Sequence, residues 1–421
     1  MLLSDEVIRL EEKYGANNYQ PLPIVIAKGK GVHVWDPEGN RYFDFLSAYS
    51  AVNQGHCHPR IIEVLKKQAE TLTLTSRAFF NNRLGEFVKL ADDMFGYESM
   101  LPMNTGAEGV ETAIKICRKW GYEKKGIPEN QAKIIVCTNN FHGRTTTIIS
   151  FSSSPSARGG FGPYTPGFIE VEYNNLDALK EALEDENVAG FLVEPIQGEA
   201  GVNMPDQDYL PEAAKLCKEN NVLFIADEIQ TGIARTGSLL AVCGNCSCTT
   251  RCERQQEHYT RPDILILGKA LGGGVYPVSA VLADREIMDV IGPGEHGSTF
   301  GGNPLASAVA IESLKVVEDE QLMVNARKLG EQFRNEMNSL KKECSLIAEV
   351  RGKGLLNAIE INDAPDSSTA RDLCIQMKNN GLLAKPTHGN VIRFAPPLVI
   401  TYEELKECIK IIKRTFLEFE K

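Results

Sequence analysis

The stretch ILILGKALGGG puts one lysine, Lys269, directly after an apolar run and directly before a cluster of glycines. A charged amine at the end of a buried strand is costly to leave uncommitted, and a partly desolvated lysine suits attack on a carbonyl. Upstream, VLFIADEIQTG closes an equally apolar run on Asp227, a carboxylate that needs a cation or several donors once it is buried. Further upstream, PMNTGAEGVETAIKIC sets Thr105, Gly106 and Ala107 ahead of a helix whose apolar face is Val110, Ala113, Ile114 and Cys117. A glycine-containing turn feeding a helix N-terminus offers free amides and the positive end of the helix dipole, which suits a phosphate. Each signal has a plain alternative: a helix N-cap by Asn104 or Thr105, a structural salt bridge at Asp227, or a direct Asp227–Lys269 pair with no cofactor. Together, an amine for a Schiff base, an acid for a pyridinium nitrogen and a cradle for a phosphate specify pyridoxal phosphate better than any competing ligand.

The elements that must position these groups follow from the apolar periodicity. From about Lys133 short β-branched runs alternate with amphipathic helical stretches, the pattern of an α/β unit on a largely parallel sheet. The expected strands are KIIVCT, GFLVEP, VLFIAD, DILILG and VSAVLA, with helices DALKEALEDEN and DYLPEAAKLCKENN between them. Asn140, Glu194, Asp227 and Lys269 follow or close the first four strands, and open α/β sheets bind ligands beyond the carboxyl ends of their strands. After STFGGNPL the texture changes to long helices, short strand-like pieces and a closing helix, TYEELKECIKIIKRTFLEFE. The expected organisation is an N-terminal arm with a WDPEGNRYFDF hairpin over 1–50, a large cofactor-binding domain over 51–308 and a smaller α+β domain over 309–421.

With 43% hydrophobic and 24% charged residues, the 421-residue chain has an ordinary globular composition. A net charge of -11 argues against a general nucleic-acid or anionic-membrane surface but leaves room for a local basic pocket. No apolar run approaches the roughly 20 residues that cross a bilayer. The start MLLSDEVIRLEEKYG has early acids and neither an arginine-rich presequence nor a secretory core, so the expected location is cytoplasmic, or the mitochondrial matrix for a mature form. Scattered cysteines such as Cys117, Cys217, Cys374 and Cys408 read as small buried hydrophobes in reduced surroundings.

The stretches NNYQPLP, AVNQGHCHP, LTLTSRAFF, MNTGAEG, NFHGR, VEPIQGEAGV, ADEIQTGIARTG, GKALGGG, GEHGSTFGGNPL, RGKGLLNAIEI and IRFAPPLVI carry a specific likeness. Over almost its whole length the chain resembles the class III, fold-type I pyridoxal-phosphate aminotransferases, and within them the branch that acts on ornithine. That resemblance implies Lys269 as the Schiff-base lysine and proton shuttle, Asp227 at the ring nitrogen, Gln230 near the phenolic oxygen and Phe141 stacked on the ring. It implies Gly106 and Ala107 as phosphate donors, and Thr299 reaching the phosphate of a second copy in an obligate homodimer. For substrates it implies that Arg144, helped by Tyr19, clamps the ornithine α-carboxylate, a task for which a guanidinium fork is suited. Glu199 would mask Arg393 during the ornithine half-reaction and release it for the α-carboxylate of 2-oxoglutarate or glutamate, with Tyr49 lining the same pocket. The implied reaction converts L-ornithine and 2-oxoglutarate to glutamate 5-semialdehyde, which cyclises to pyrroline-5-carboxylate, and glutamate. His142 stands where some members of that branch carry tryptophan, and FHGR is shared with acetylornithine enzymes. Tyr19, Tyr49 and LTLTSRAF favour ornithine over acetylornithine or another ω-amino acid, and a non-catalytic cofactor- or metal-binding interaction protein is the reading from a different class.

The insertion at 243–258, within AVCGNCSCTTRCERQQEHY, crowds Cys243, Cys246, Cys248 and Cys252 together. Four thiolates could close one tetrahedral zinc site, although a single-residue gap is tighter than ordinary ligand spacing. A redox pair through Cys243 and Cys246, or inert surface thiols, are the other readings.

Overall fold

The computed structural model describes residues 3–244 and 260–420. Near the N-terminus β1 (Lys28–Lys30), β2 (His33–Trp35) and β3 (Arg41–Asp44) form an antiparallel meander. The expected turn joins β2 to β3, held by Asp36 Oδ1, which accepts from the Asn40 amide at 2.7 Å. Seven strands then build the central sheet: β4 (Ser99–Met103), β5 (Lys133–Cys137), β6 (Phe168–Val171), β7 (Val188–Val193), β8 (Leu223–Asp227), β9 (Ile264–Leu267) and β10 (Ser279–Ala283). Their order is β4-β10-β9-β8-β7-β5-β6, and only β10 runs against its neighbours. The mixed α/β architecture with a parallel-rich sheet is therefore the one expected. The strands β4 and β6 escape the sequence reading because they are the outer ones: SMLPM contains a proline, which an edge tolerates, and FIEV is only four residues long.

All residues of β7, β8 and β9 are buried, which is why these strands read as continuous apolar runs rather than alternating ones. Successive side chains still go to opposite faces. Phe191, Phe224, Leu265 and Leu267 join one core, while Leu192, Ile225, Ile264 and Ile266 join the other. The helix Gly106–Trp120 covers the second core with Val110, Ala113, Ile114 and Cys117, the face expected from spacing. Its approach is close: a Cβ at Gly190 would sit 2.5 Å from Cys117 Sγ.

Beyond the helix Pro304–Asp319, which runs through position 309, the chain forms β11 (Ile347–Lys353), β12 (Leu356–Ile361), β13 (Leu382–Leu383), β14 (Lys385–Thr387) and β15 (Val391–Phe394). Four of these make a sheet in the order β11-β12-β15-β14, whereas β13 leaves to pair in parallel with β3. The division of the chain at about 309 is a proposal about folding units, since β13 of the C-terminal region completes the sheet of the N-terminal meander, in the order β1-β2-β3-β13. The last helix, Tyr402–Phe419, starts at a capping box made by Thr401 and Glu404. Among the described residues no helix is long and apolar enough to cross a membrane.

Candidate active site

Because β9, β8, β7 and β5 are neighbours in the sheet, the segments leaving their carboxyl ends lie side by side. There Lys269, Asp227, Glu194 and Phe141 line one cavity of about 200 Å³, together with Gly106, Ala107 and Gln230. Lys269 follows β9 in a short 3₁₀ turn with φ +46°, left-handed for a residue other than glycine. The glycines after it are obligatory: at Gly273 (φ +57°) a Cβ would lie 2.4 Å from Ser313 Oγ, and at Gly274 (φ +72°) 2.3 Å from Val52 Cγ1. Desolvation brings the Lys269 amine down to about 8, against the attraction of Glu199.

No ion pair joins Lys269 to Asp227 among the described residues. Asp227 Oδ2 instead meets His142 Nδ1 at 2.7 Å, and Oδ1 accepts from the Ile229 amide at 3.1 Å. The His142 side chain is wholly buried, and its Nε2 has no hydrogen-bond partner. Burial alone would lower its pKa, but the Asp227 carboxylate outweighs that and holds it above the ordinary histidine value. Glu194 lies beside them with Oε2 accepting from the Phe141 amide at 2.9 Å, and burial pushes its carboxyl up to about 8 despite the nearby imidazole.

On the opposite flank the helix Gly106–Trp120 begins at Thr105, which forms a capping box with Glu108. The box occupies the amides of Thr105 and Glu108. Gly106 and Ala107, whose amides belong to the first turn and have no intrahelical acceptor, line the cavity. The N-cap reading and the phosphate reading are thus compatible. An amine, a carboxylate braced by an imidazole, an exposed aromatic ring at Phe141 and a helix N-terminus around one small cavity fit pyridoxal phosphate.

A second, larger hollow of about 480 Å³ shares Phe141 with the first and is lined by Tyr49, Arg144, Glu199, Lys385 and Arg393. Arg393 is only 2% exposed and sits in β15, paired through Nη1 with Glu199 Oε1 at 2.7 Å and with Gln230 Oε1 at 3.2 Å. Gln230 also donates to Glu199 Oε1 at 2.9 Å. Burial would raise the Glu199 carboxyl, yet Arg393 and Lys269 hold it below the ordinary glutamate value. Gly198 is needed for this packing, since a Cβ there would fall 1.8 Å from Gln230 Oε1. Arg144 is exposed, with its guanidinium 5.7 Å from the Phe141 ring centroid.

Tyr49 reaches the hollow from an unusual turn in which Ser47, Ala48, Tyr49 and Ser50 all have positive φ. Left-handed residues cost on the order of 1 kcal/mol each. The turn is held by Asp44 Oδ1, which accepts from the amides of Leu46 at 2.8 Å and Ser47 at 3.0 Å, and by Ser47 Oγ donating to Ala395 O at 2.7 Å. Lys269 in the first cavity and Asn139 and His388 in the second are further non-glycine residues with positive φ. Such strain gathers where the surrounding structure over-determines a site.

Two expected residues are not brought in. Tyr19 is 67% exposed ahead of β1, and neither it nor Thr299 lines either cavity. Thr299 is exposed next to Ser298, whose Oγ accepts from Asn104 Nδ2 at 2.7 Å beside the Thr105 turn. The sequence reading gave no role to Lys385 or to the bracing of Asp227 by His142. Lys385 becomes apparent only through the register of β14 and β15, which sets it opposite Arg393. Of the cysteine cluster, Cys243 is buried and Cys246, Cys248 and Cys252 lie outside the described residues, as does the zinc site proposed there; no metal-binding group is found among the described residues. Cys117, Cys217, Cys374 and Cys408 are buried as expected.

Residues 14–416 match the family described as aminotransferase class-III. The mitochondrial ornithine aminotransferase of Drosophila ananassae is 57% identical over 415 residues, 99% of this chain and 92% of that protein. A solved ornithine aminotransferase from Toxoplasma gondii, described with partial occupancy of PLP at its active site, superposes with a TM-score of 0.93 at 49% identity, covering 99% of this chain and 95% of that one. A solved acetylornithine aminotransferase from Elizabethkingia anophelis has a TM-score of 0.88 at 57% identity, covering 99% of this chain and 100% of that one.

Proposed function

The chain belongs to the class-III aminotransferase family, and from that membership we propose that it is an ornithine δ-aminotransferase, converting L-ornithine and 2-oxoglutarate to glutamate 5-semialdehyde and glutamate. The observation that carries this reading is the buried Arg393–Glu199 pair in the same hollow as Arg144. One guanidinium is free for a carboxylate and a second is masked until a different substrate claims it.

Pyridoxal phosphate, when bound, supplies an aldehyde that condenses with amines and a ring that withdraws the electron pair freed at the carbon beside nitrogen. Lys269 Nζ would hold that aldehyde and, as a free amine, move the proton at that carbon, and burial that brings the amine down to about 8 keeps a usable fraction of it neutral near pH 7. Asp227, braced by His142, offers negative charge to a protonated ring nitrogen. Phe141 would stack on the ring, Gln230 would approach its phenolic oxygen, and the Gly106 and Ala107 amides would take the phosphate, as their shared cavity allows. Thr299 completes that phosphate site from a second copy, so the active form is a homodimer, a reading supported by the exposure of Thr299 and of Phe300 at 47%.

Arg144, with Tyr19, holds the α-carboxylate of ornithine and leaves its distal amine to approach Lys269. Glu199 stays ionised and neutralises Arg393, which removes the attraction for an α-carboxylate at the reacting end. With 2-oxoglutarate or glutamate the pair opens and Arg393 takes that carboxylate, while Tyr49 walls the hollow. We place the protein in a reducing cytoplasmic or matrix location, a reading supported by the thiols Cys117, Cys217, Cys374 and Cys408 buried among apolar side chains.

The test is the visible absorbance of the holoenzyme under single-turnover conditions with ornithine, N-acetylornithine or 4-aminobutyrate. Ornithine is expected to bleach it fastest. The 57% identity to the Elizabethkingia structure, together with the FHGR stretch, favours acetylornithine as the second reading, and faster bleaching by N-acetylornithine would establish that reading instead.

A further inference from the structure

Lys385 is a cation in the substrate hollow without an acidic partner: among the described residues no carboxylate lies within ion-pair distance, and its amine donates only to the Tyr49 hydroxyl at 3.2 Å. Its place is fixed by the hairpin. In the antiparallel register of β14 and β15, Lys385 is directly opposite Arg393, with Thr387 opposite Val391. Opposed residues of an antiparallel pair project from one face, so two like charges confront each other there, an arrangement that is unfavourable by itself. The ring of Tyr49 lies under both, with its centroid 5.6 Å from the Lys385 ammonium and 5.1 Å from the Arg393 guanidinium. Tyr49 is tied to the same strands, because β13 pairs with β3 just ahead of its turn and Ser47 is bound to Ala395 just past β15.

Glu199 is anchored beside this pair of cations. Its carbonyl accepts from Thr387 Oγ1 at 2.8 Å, and Thr387 stands two residues from Lys385 on the same face of β14. The Glu199 backbone is thus held next to the strand that carries Lys385, while its carboxylate reaches across to Arg393. A glutamate that surrenders Arg393 to a substrate loses the cation it is hydrogen-bonded to and keeps only the unpaired attraction of Lys269, which is unfavourable for a half-buried acid.

We propose that Lys385 is the alternate partner of Glu199: when a dicarboxylate claims Arg393, the Glu199 carboxylate turns to the Lys385 ammonium, and the open gate is an ion pair rather than a stranded acid. Lys385 exchanges the Tyr49 hydroxyl for a carboxylate. Lys385 is a positioning residue, acting through Glu199 on the co-substrate half-reaction. The inference rests on the reading of Glu199 as the mask of Arg393.

The experiment is a double-mutant cycle on binding of glutarate, a dicarboxylate with neither amine nor keto group to react, measured by calorimetry on the holoenzyme. K385M is expected to weaken glutarate about fivefold in the presence of Glu199 and less than twofold in the E199Q background, where there is no acid to receive. K385R is expected to restore most of the wild-type affinity, which a loss of packing alone would not predict. Equal losses in both backgrounds overturn the proposal by making Lys385 a direct contact or a general attractor of anions. Glutarate binding E199Q no more tightly than wild type removes the gate itself, and with it both this inference and the two-arginine reading of substrate choice.

Discussion

Replacing His142 probes the bracing of Asp227 most directly. In the cofactor-free protein the imidazole is the only cationic partner of that buried carboxylate among the described residues, at 2.7 Å, with the Ile229 amide as its other donor. Removing one partner of a buried pair costs about 3–5 kcal/mol, because the remaining charge is left uncompensated. His142→Phe keeps the volume and removes both donor and charge, whereas His142→Asn keeps a donor and removes only the charge. An unfolding entropy of roughly 2.1 cal/mol/K per residue amounts to about 0.9 kcal/mol per degree for this chain, so His142→Phe is expected to lower the apo-protein Tm by about 3–6 °C. His142→Asn is expected to lose about half as much. With pyridoxal phosphate bound, a protonated ring nitrogen gives Asp227 a second cation, and both losses are expected to shrink. Scanning calorimetry at one fixed rate, on each variant with and without cofactor, reads all four differences. Equal losses in apo and holo forms would refute the idea that imidazole and ring nitrogen share one carboxylate.

Other expectations follow from the same geometry. Borohydride reduction of the holoenzyme followed by peptide mapping is expected to place the cofactor on Lys269, and Lys269→Ala to abolish the visible band; label on any other lysine contradicts the assignment. The amine at 269, lowered by desolvation to about 8, deprotonates in the folded protein well before it would in the unfolded chain. Its burial therefore costs stability below about pH 8, and that cost is relieved as pH rises. Acylation of this residue in the apo-protein is expected to rise through about pH 8, and a midpoint near 10 would show that the site does not desolvate it. Glu199→Gln removes a charge but keeps the hydrogen bonds, so the kcat/KM ratio of ornithine to glutamate is expected to fall by about 10–100-fold, the range that 1.4–2.8 kcal/mol of differential binding supplies. Gly198→Ala is expected to displace Gln230 and loosen its bond to Arg393, visible as a shift in the wavelength of the bound cofactor, and an unchanged spectrum would argue against Gln230 at the phenolic oxygen.

The inner strands were legible because burial on both faces leaves an uninterrupted apolar signature, and their polar endings at Asp227 and Lys269 mark the sheet edge where ligands collect. The outer strands were not, since an edge imposes less on composition. Within the site, Arg393 was legible as a guanidinium inside the apolar run VIRFAPP, while the role of Lys385 depends on the cross-strand register rather than on any local feature. His142 was noticed only as a departure from tryptophan. What it binds depends on strand order, which sets the loop after β5 beside the end of β8 with β7 between them. The places of Tyr19 and Thr299 involve surfaces exposed on a single chain, so neither periodicity nor the fold of one copy positions them.

The parallel pairing of β13 with β3 joins residues 382–383 to residues 43–44. A ribosome making this protein delivers the front half of that pair long before the back half. Until then the outer edge of the first sheet is unsatisfied and the Tyr49 turn lacks its anchor at Ala395. A nascent chain can therefore complete its large sheet long before it has a substrate hollow, and chains stalled before residue 382 would present an open strand edge of the kind that chaperones protect.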